Sequence, residues 1–218
     1  MCGTLLVTSG LASPSAATLT STSSLAANVF GTGAWYFLHN SPTPPTGTTT
    51  AVNNLAMGTP TPTQATLYNY DTNQDSLAGR VITKSGTGAG DATLAHYANW
   101  RTAAFASSQL VNGSVTVHIW SGITGFPLAQ KGVLIAYLRD FNPILSTYVE
   151  IANATLTDAN WQAGSATWVQ KSIVIPVANY TIPGGHRLEL KVETTSASYA
   201  NMVIAYDTTG YPSALSLP

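Results

Sequence analysis

The fold class this sequence predicts is all-β: an antiparallel jelly-roll sandwich with an extended N-terminal donor strand. Three observations predict it. Apolar residues recur at a period of two in a succession of short runs, Gly, Pro, Asn and Asp cluster between those runs, and no stretch forms a convincing amphipathic helix. Runs of this kind bury one face each, which two packed sheets accomplish, and the jelly roll is the topology favoured here.

In chain order, residues 1–15 carry no pattern. The arm follows, AATLTSTSSLAANVFGTGAW from Ala16 to Trp35. Ala17, Leu19, Leu25, Ala27 and Val29 fall on one side, with Phe30 beside them. Thr18, Thr20, Thr22, Ser24 and Asn28 fall on the other, and Ser21 and Ser23 interrupt the pattern. The arm has no charged residue. Gly31-Thr-Gly33 can turn it back onto Ala34–Leu38, an apolar run too short to cover it. An apolar-sided strand without a full local partner must find an edge, on its own domain or on a neighbouring molecule. Residues 41–63 hold five of the twelve prolines and read as a stiff, extended connector. The predicted division is therefore an arm over 1–40, a connector over 41–63 and a jelly-roll domain over 64–218.

Within that domain, strands are expected over Ala65–Tyr70, Gly79–Lys84, Ser114–Trp120, Val133–Arg139, Tyr148–Leu156, Trp168–Val177 and Met202–Tyr206. Ala92–Ala106 has poor apolar spacing and reads as loop or extended chain. Pro183-Gly-Gly185 turns into His186–Glu193, the clearest amphipathic strand. Leu188, Leu190 and Val192 are expected to face inward, and Arg187, Glu189, Lys191 and Glu193 to form a solvated charge ladder.

Composition excludes several functions. Charged residues are 8% of the 218, with a net charge of -1, so there is no Lys/Arg cluster to hold nucleic acid or an anionic membrane surface. No apolar segment is long enough to span a bilayer as a helix. The start of the chain lacks a basic, apolar leader, so an export signal would have been removed or lie upstream. Cys2 is the one cysteine, which rules out an internal disulfide. A surface built from Ser, Thr, Asn and Gln repels its own copies weakly and favours association.

Catalytic and metal chemistry find little here. No nucleophile elbow, paired zinc histidines or phosphate loop is present, and His39, His96, His118 and His186 lie far apart. No catalytic residue is assigned and no enzyme is expected. No cofactor is expected either, unless calcium binds. Asp71, Asn73 and Asp75 alternate as oxygen ligands do at the start of a calcium loop, but Ser76 and Ile82 stand where the loop wants Gly and Glu. The competing reading is an Asx-rich turn. Asn112, Asn153 and Asn179 head glycosylation sequons, a pattern that also arises by chance in a chain rich in Asn, Ser and Thr. Trp100, Trp120, Trp161 and Trp168 either stack on sugars from a sandwich rim or fill the core.

Several segments resemble uncharacterised secreted surface proteins: residues 34–40 (AWYFLHN), 43–47 (TPPTG), 66–76 (TLYNYDTNQDS), VTVHIW, YTIPGGHRLELK and AYDTTGYPS. ATLTSTSSLAANVFGTG resembles the start of mature camelysin and TasA-type biofilm-fibre subunits, with Asn28-Val-Phe-Gly-Thr-Gly33 in place of their N-x-F-x-x-G. That resemblance implies a jelly roll whose N-terminal strand completes the sheet of the next subunit. Separately, YTIPGGHRLELK and its surroundings are similar to the C-terminal jelly roll of X-Pro dipeptidyl peptidases and related esterases, which implies a non-catalytic domain.

The expected function is an extracellular, cell-surface structural subunit that polymerises with itself head to tail by donor-strand complementation, as in a pilus-like or biofilm-matrix fibre. The alternatives are a carbohydrate-binding module with glycan partners and a virion surface or decoration protein.

Overall fold

The computed structural model describes residues 28–29, 34–39, 53–56, 79–84, 88–162, 168–206 and 211–218. Twelve strands lie among them and no helix: β1 (Asn28–Val29), β2 (Trp35–His39), β3 (Asn53–Ala56), β4 (Gly79–Ile82), β5 (Tyr97–Arg101), β6 (Gln109–Thr124), β7 (Gln130–Asn142), β8 (Thr147–Trp161), β9 (Val169–Ile182), β10 (Arg187–Glu193), β11 (Asn201–Ala205) and β12 (Ala214–Ser216). No helix among the described residues is long and apolar enough to cross a membrane.

The antiparallel pairings form a sandwich. One layer runs β4–β11–β6–β9 and the other β5–β10–β7–β8, the interleaved strand order of a jelly roll. Beside β6, β12 continues the row begun by β11, pairing Ser216 with Thr116. Outside β12 lie β2 and then β3, which joins the second layer through a short parallel pairing with β5. The layers enclose one apolar core. Val115, Val117 and Ile119 of β6 and Ile173 and Ile175 of β9 face Leu134, Ala136 and Leu138 of β7 and Leu188, Leu190 and Val192 of β10. Burial alternates along β9 because its other face meets solvent.

The arm and connector enter this fold in part. Asn28 and Val29 pair in parallel with Gln109 and Leu110 of the same chain. Ala17, Leu19, Leu25, Ala27 and Phe30 lie outside the described residues, as do Asp71, Asn73 and Asp75 and the strand expected over 65–70. Within the stretch read as a connector, Asn53–Ala56 is hydrogen-bonded into the sheet between β2 and β5.

The charge ladder is where the structure overturns the sequence pattern. Leu188, Leu190 and Val192 do face the core, but Glu189, Lys191 and Glu193 are also buried, at 1%, 0% and 0% exposure. The physical reason is position: β10 is an interior strand flanked by β5 and β7, and its polar face lies under the chain around residues 88–92.

Candidate functional site

The sheet register assembles a polar row on the outer face of the second layer. Glu189 stands opposite Arg101 of β5 on one side and Arg139 of β7 on the other. One register step along, Lys191 stands between Asn99 and Tyr137. Strand alternation puts all of these on the face opposite the apolar core.

The row is held by charge-assisted contacts. Arg139 Nη1 donates to Glu189 Oε1 at 2.9 Å, Arg101 Nε donates to Glu189 Oε2, and Asn99 Nδ2 donates to the same oxygen at 3.3 Å. Each guanidinium also lies on an aromatic ring, Arg101 at 3.5 Å from the Phe141 centroid and Arg139 at 3.9 Å from that of Tyr148. Beneath them Lys191 Nζ pairs with Glu193 Oε2 at 2.9 Å and donates to the carbonyls of Gly88, Ala89 and Asp91 at 2.9, 3.2 and 3.0 Å. Tyr137 donates its hydroxyl to Glu193 Oε1 at 3.1 Å. Burial, then the Glu193 charge, holds its phenol well above the usual range.

The chain around residues 88–92 is tied down from several directions. The Ala89 carbonyl accepts from Arg139 Nη2 as well as from Tyr148 Oη at 3.1 Å. Gly88 turns at φ 100°, a conformation a side chain would strain. Asp91 accepts from Thr93 N at 2.8 Å and sits 2.7 Å from His96 Nδ1. Between this segment and the β7–β8 turn an open cleft of about 300 Å³ remains. Asp91, Asn99, Arg101, Arg139, Tyr148 and Glu189 are among its walls, and Tyr148 is 42% exposed.

The residues singled out by sequence are dispersed. Asn112, Asn153 and Asn179 are all exposed. Asn112 and Asn179 meet at the irregularity where β6 and β9 slip register, with Asn179 at φ 36°. Asn153 donates to Glu150 at 2.6 Å. Trp100 and Trp161 are fully buried in the core, and Trp120 and Trp168 pack against Tyr211 at 5.3 and 5.9 Å, so these four rings form no joint sugar-stacking face. Among the described residues no group of three His, Cys, Asp or Glu side chains could hold a metal ion.

Sequence reasoning did not find Asn99, Arg101, Arg139 and Tyr148. A signal was present in the rarity of charge: in a chain with eight Lys and Arg, Arg101 and Arg139 each sit in or at the end of an apolar strand.

No protein-family model matches the sequence, and no curated protein matches it. Solved structures do match the fold. An aminopeptidase from the marine sediment archaeon Thaumarchaeota archaeon is similar at a TM-score of 0.55 and 11% identity, over 84% of this chain and 36% of that one. A CocE/NonD family hydrolase from Staphylococcus aureus is similar at 0.55 and 10% identity, over 87% of this chain and 37% of that one. The chain therefore spans a little over a third of the length of these proteins. The resemblance of the arm to camelysin and TasA-type subunits draws no support from them. What the likeness shows at this identity is the fold: a β-sandwich shared with a region of CocE/NonD family hydrolases.

Proposed function

We propose that the chain is a non-catalytic, glycan-binding β-sandwich domain that works outside the cell and takes its ligand in the cleft between the residue 88–92 segment and the β7–β8 turn. One observation carries this reading: an open cleft where a half-exposed aromatic ring, Tyr148, lies beside hydrogen-bonding groups fixed by a sheet. A sugar ring offers an apolar face for stacking and a rim of hydroxyls for polar contacts, and such a cleft offers both partners. The groups are held by each other and by backbone carbonyls, so little ordering is left for the moment of binding. Similarity of YTIPGGHRLELK to the C-terminal jelly roll of X-Pro dipeptidyl peptidases supports an accessory role rather than a catalytic one.

A glycan array probed with the full chain tests the reading. Retention of a defined class of glycans is expected, with Tyr148→Ala weakening it about two- to tenfold, the loss of one stacking contact worth roughly 0.5 to 1.5 kcal/mol. Tyr148 also covers the Arg139 guanidinium and donates to the Ala89 carbonyl, so the variant's melting temperature is measured beside its binding, and Tyr148→Phe, which keeps the ring, should retain the glycan. Failure of the parent to retain any glycan overturns the proposal.

The fibre-subunit reading keeps one specific support. Among the described residues β8 pairs only with β7, leaving the outer edge of a 15-residue strand open to an added strand.

A further inference from the structure

We propose that the outer face of the first layer is a second binding site, a flat platform built on Trp35 that takes a neutral polysaccharide chain. It lies on the layer opposite the cleft and does not depend on it. Strand register builds the platform. Trp35 of β2 stands opposite Ser216 of β12, Ser216 opposite Thr116 of β6, and Thr116 opposite Val174 of β9. One step along the same strands, Leu215, Val117 and Ile173 are buried in the core, so alternation turns the row of Trp35 outward. Trp35 is 42% exposed and Val174 54%. The indole stacks on His118 with ring centroids 4.7 Å apart and planes 21° from parallel, and the Phe37 ring follows at 6.4 Å. His118 itself lies between two hydroxyls, with Ser172 Oγ 3.4 Å from Nδ1 and Ser216 Oγ 3.3 Å from Nε2.

Charge and size decide the class of ligand. β2, β6 and β12 contain no Asp, Glu, Lys or Arg, and the one such residue of β9, Lys171, stands opposite the buried Ile119 and pairs with Asp158. Burial lowers the proton affinity of His118, which keeps the imidazole neutral. A neutral imidazole has one donor and one acceptor, and each serine hydroxyl is both. The platform thus combines an exposed aromatic ring with two-way hydrogen-bonding groups and no charge. A sugar ring, with an apolar face and a rim of hydroxyls, is the matching partner. An ionic ligand finds no counter-charge here. A protein partner needs a larger surface: the rows of Trp35 and Phe37 across four strands cover on the order of 100 Å², against about 800 Å² per partner in a stable interface. An extended sugar chain suits a flat row that is about 14 Å long.

Affinity electrophoresis of the full chain through gels containing hydroxyethyl cellulose, xyloglucan or laminarin tests the proposal. Retardation by at least one of these neutral polymers is expected, and Trp35→Ala should weaken it about two- to tenfold. Val174→Glu, at an exposed position outside the aromatic stack, sets a charge on the platform that a sugar would have to desolvate. It should weaken retention severalfold while the melting temperature stays close to that of the parent. No retardation by any of the three polymers overturns the proposal. Retardation lost in Tyr148→Ala but kept in Trp35→Ala and Val174→Glu overturns the platform and leaves the cleft reading standing. An empty glycan array beside retardation that depends on Trp35 removes the cleft reading and leaves the platform. A dimer in sedimentation that Trp35→Ala or Val174→Glu dissolves overturns the sugar assignment and makes this face a contact between copies.

Discussion

Lys191 does the work of a tethered cation. Its ammonium collects three backbone carbonyls and one carboxylate, the set of oxygens a hard metal ion would gather, and it sits 4.7 Å from the Tyr97 ring centroid. Burial lowers the proton affinity of this group, and Glu193 pulls in the opposite direction. Lys191→Met should therefore cost about 3 to 5 kcal/mol in urea unfolding, because Glu193 is left charged and buried without its partner. The Lys191→Met, Glu193→Leu double variant should recover much of that loss, since removing both charges removes the desolvation problem. A single variant that loses less than about 1 kcal/mol would show that water replaces the ammonium and that the segment around residue 89 is held by Arg139 and Tyr148 instead. The same residue shows what was legible in the sequence. The alternation of His186–Glu193 gave the strand and its apolar side correctly. It could not tell whether the polar side meets water, because the cover comes from a stretch of chain around Gly88 and Gly90 that has no periodicity to read.

Among the elements, β7 and β8 depend on a close approach at Gly132. The pairing slips between Gln130 and Gly132, so that two β8 residues, Ala159 and Asn160, face the single residue Lys131. Trp161 comes in over the glycine, fully buried, and donates Nε1 to Ser121 Oγ at 3.1 Å. A Cβ at position 132 would lie 2.6 Å from Trp161 Cε3 and 3.0 Å from Met202 Sδ. Gly132→Ala is expected to destabilise the protein by about 1 to 3 kcal/mol through overpacking, with a changed near-ultraviolet circular dichroism band from the displaced indole. An unchanged band and midpoint would mean that β7 relaxes at the bulge without strain. Three strands escaped the sequence reading for different reasons, the first being Asn53–Ala56, which lies in the proline-rich stretch read as a connector. Tyr97–Arg101 is buried on both faces through Trp100, so it shows no alternation, and Ala214–Ser216 is too short to show any. The 16-residue β6 was legible only over Ser114–Trp120, because Asn112-Gly113 breaks the pattern at the register slip. The cleft was hidden for a related reason: Arg101, Arg139 and Glu189 are neighbours only through strand pairing, and pairing partners far apart in sequence leave no mark in local composition.

At the scale of the whole molecule, the edges of the sandwich decide whether the protein stays single. Within the described residues β8 and β9 each have one hydrogen-bonded partner. The β9 edge is blunted by Pro176, by Lys171 and by the irregular turn of Asn179, devices that discourage an added strand. The β8 edge has no proline; its charges are Glu150 and Asp158, and Asp158 pairs with Lys171 of β9. Of these two edges a donated strand would add to β8; β4, also an edge with one partner, is only four residues long. Asn28 and Val29 of the arm compete with that route, since they pair with β6 of their own chain. Sedimentation and electron microscopy of the full chain beside a chain lacking residues 1–33 distinguish the outcomes. If copies donate strands, the full chain forms filaments while the truncated one stays monomeric and takes up a synthetic peptide of residues 16–30. A full chain that is monomeric, with a truncation of equal stability, removes the fibre reading and leaves the arm as a local extension of the β6 sheet.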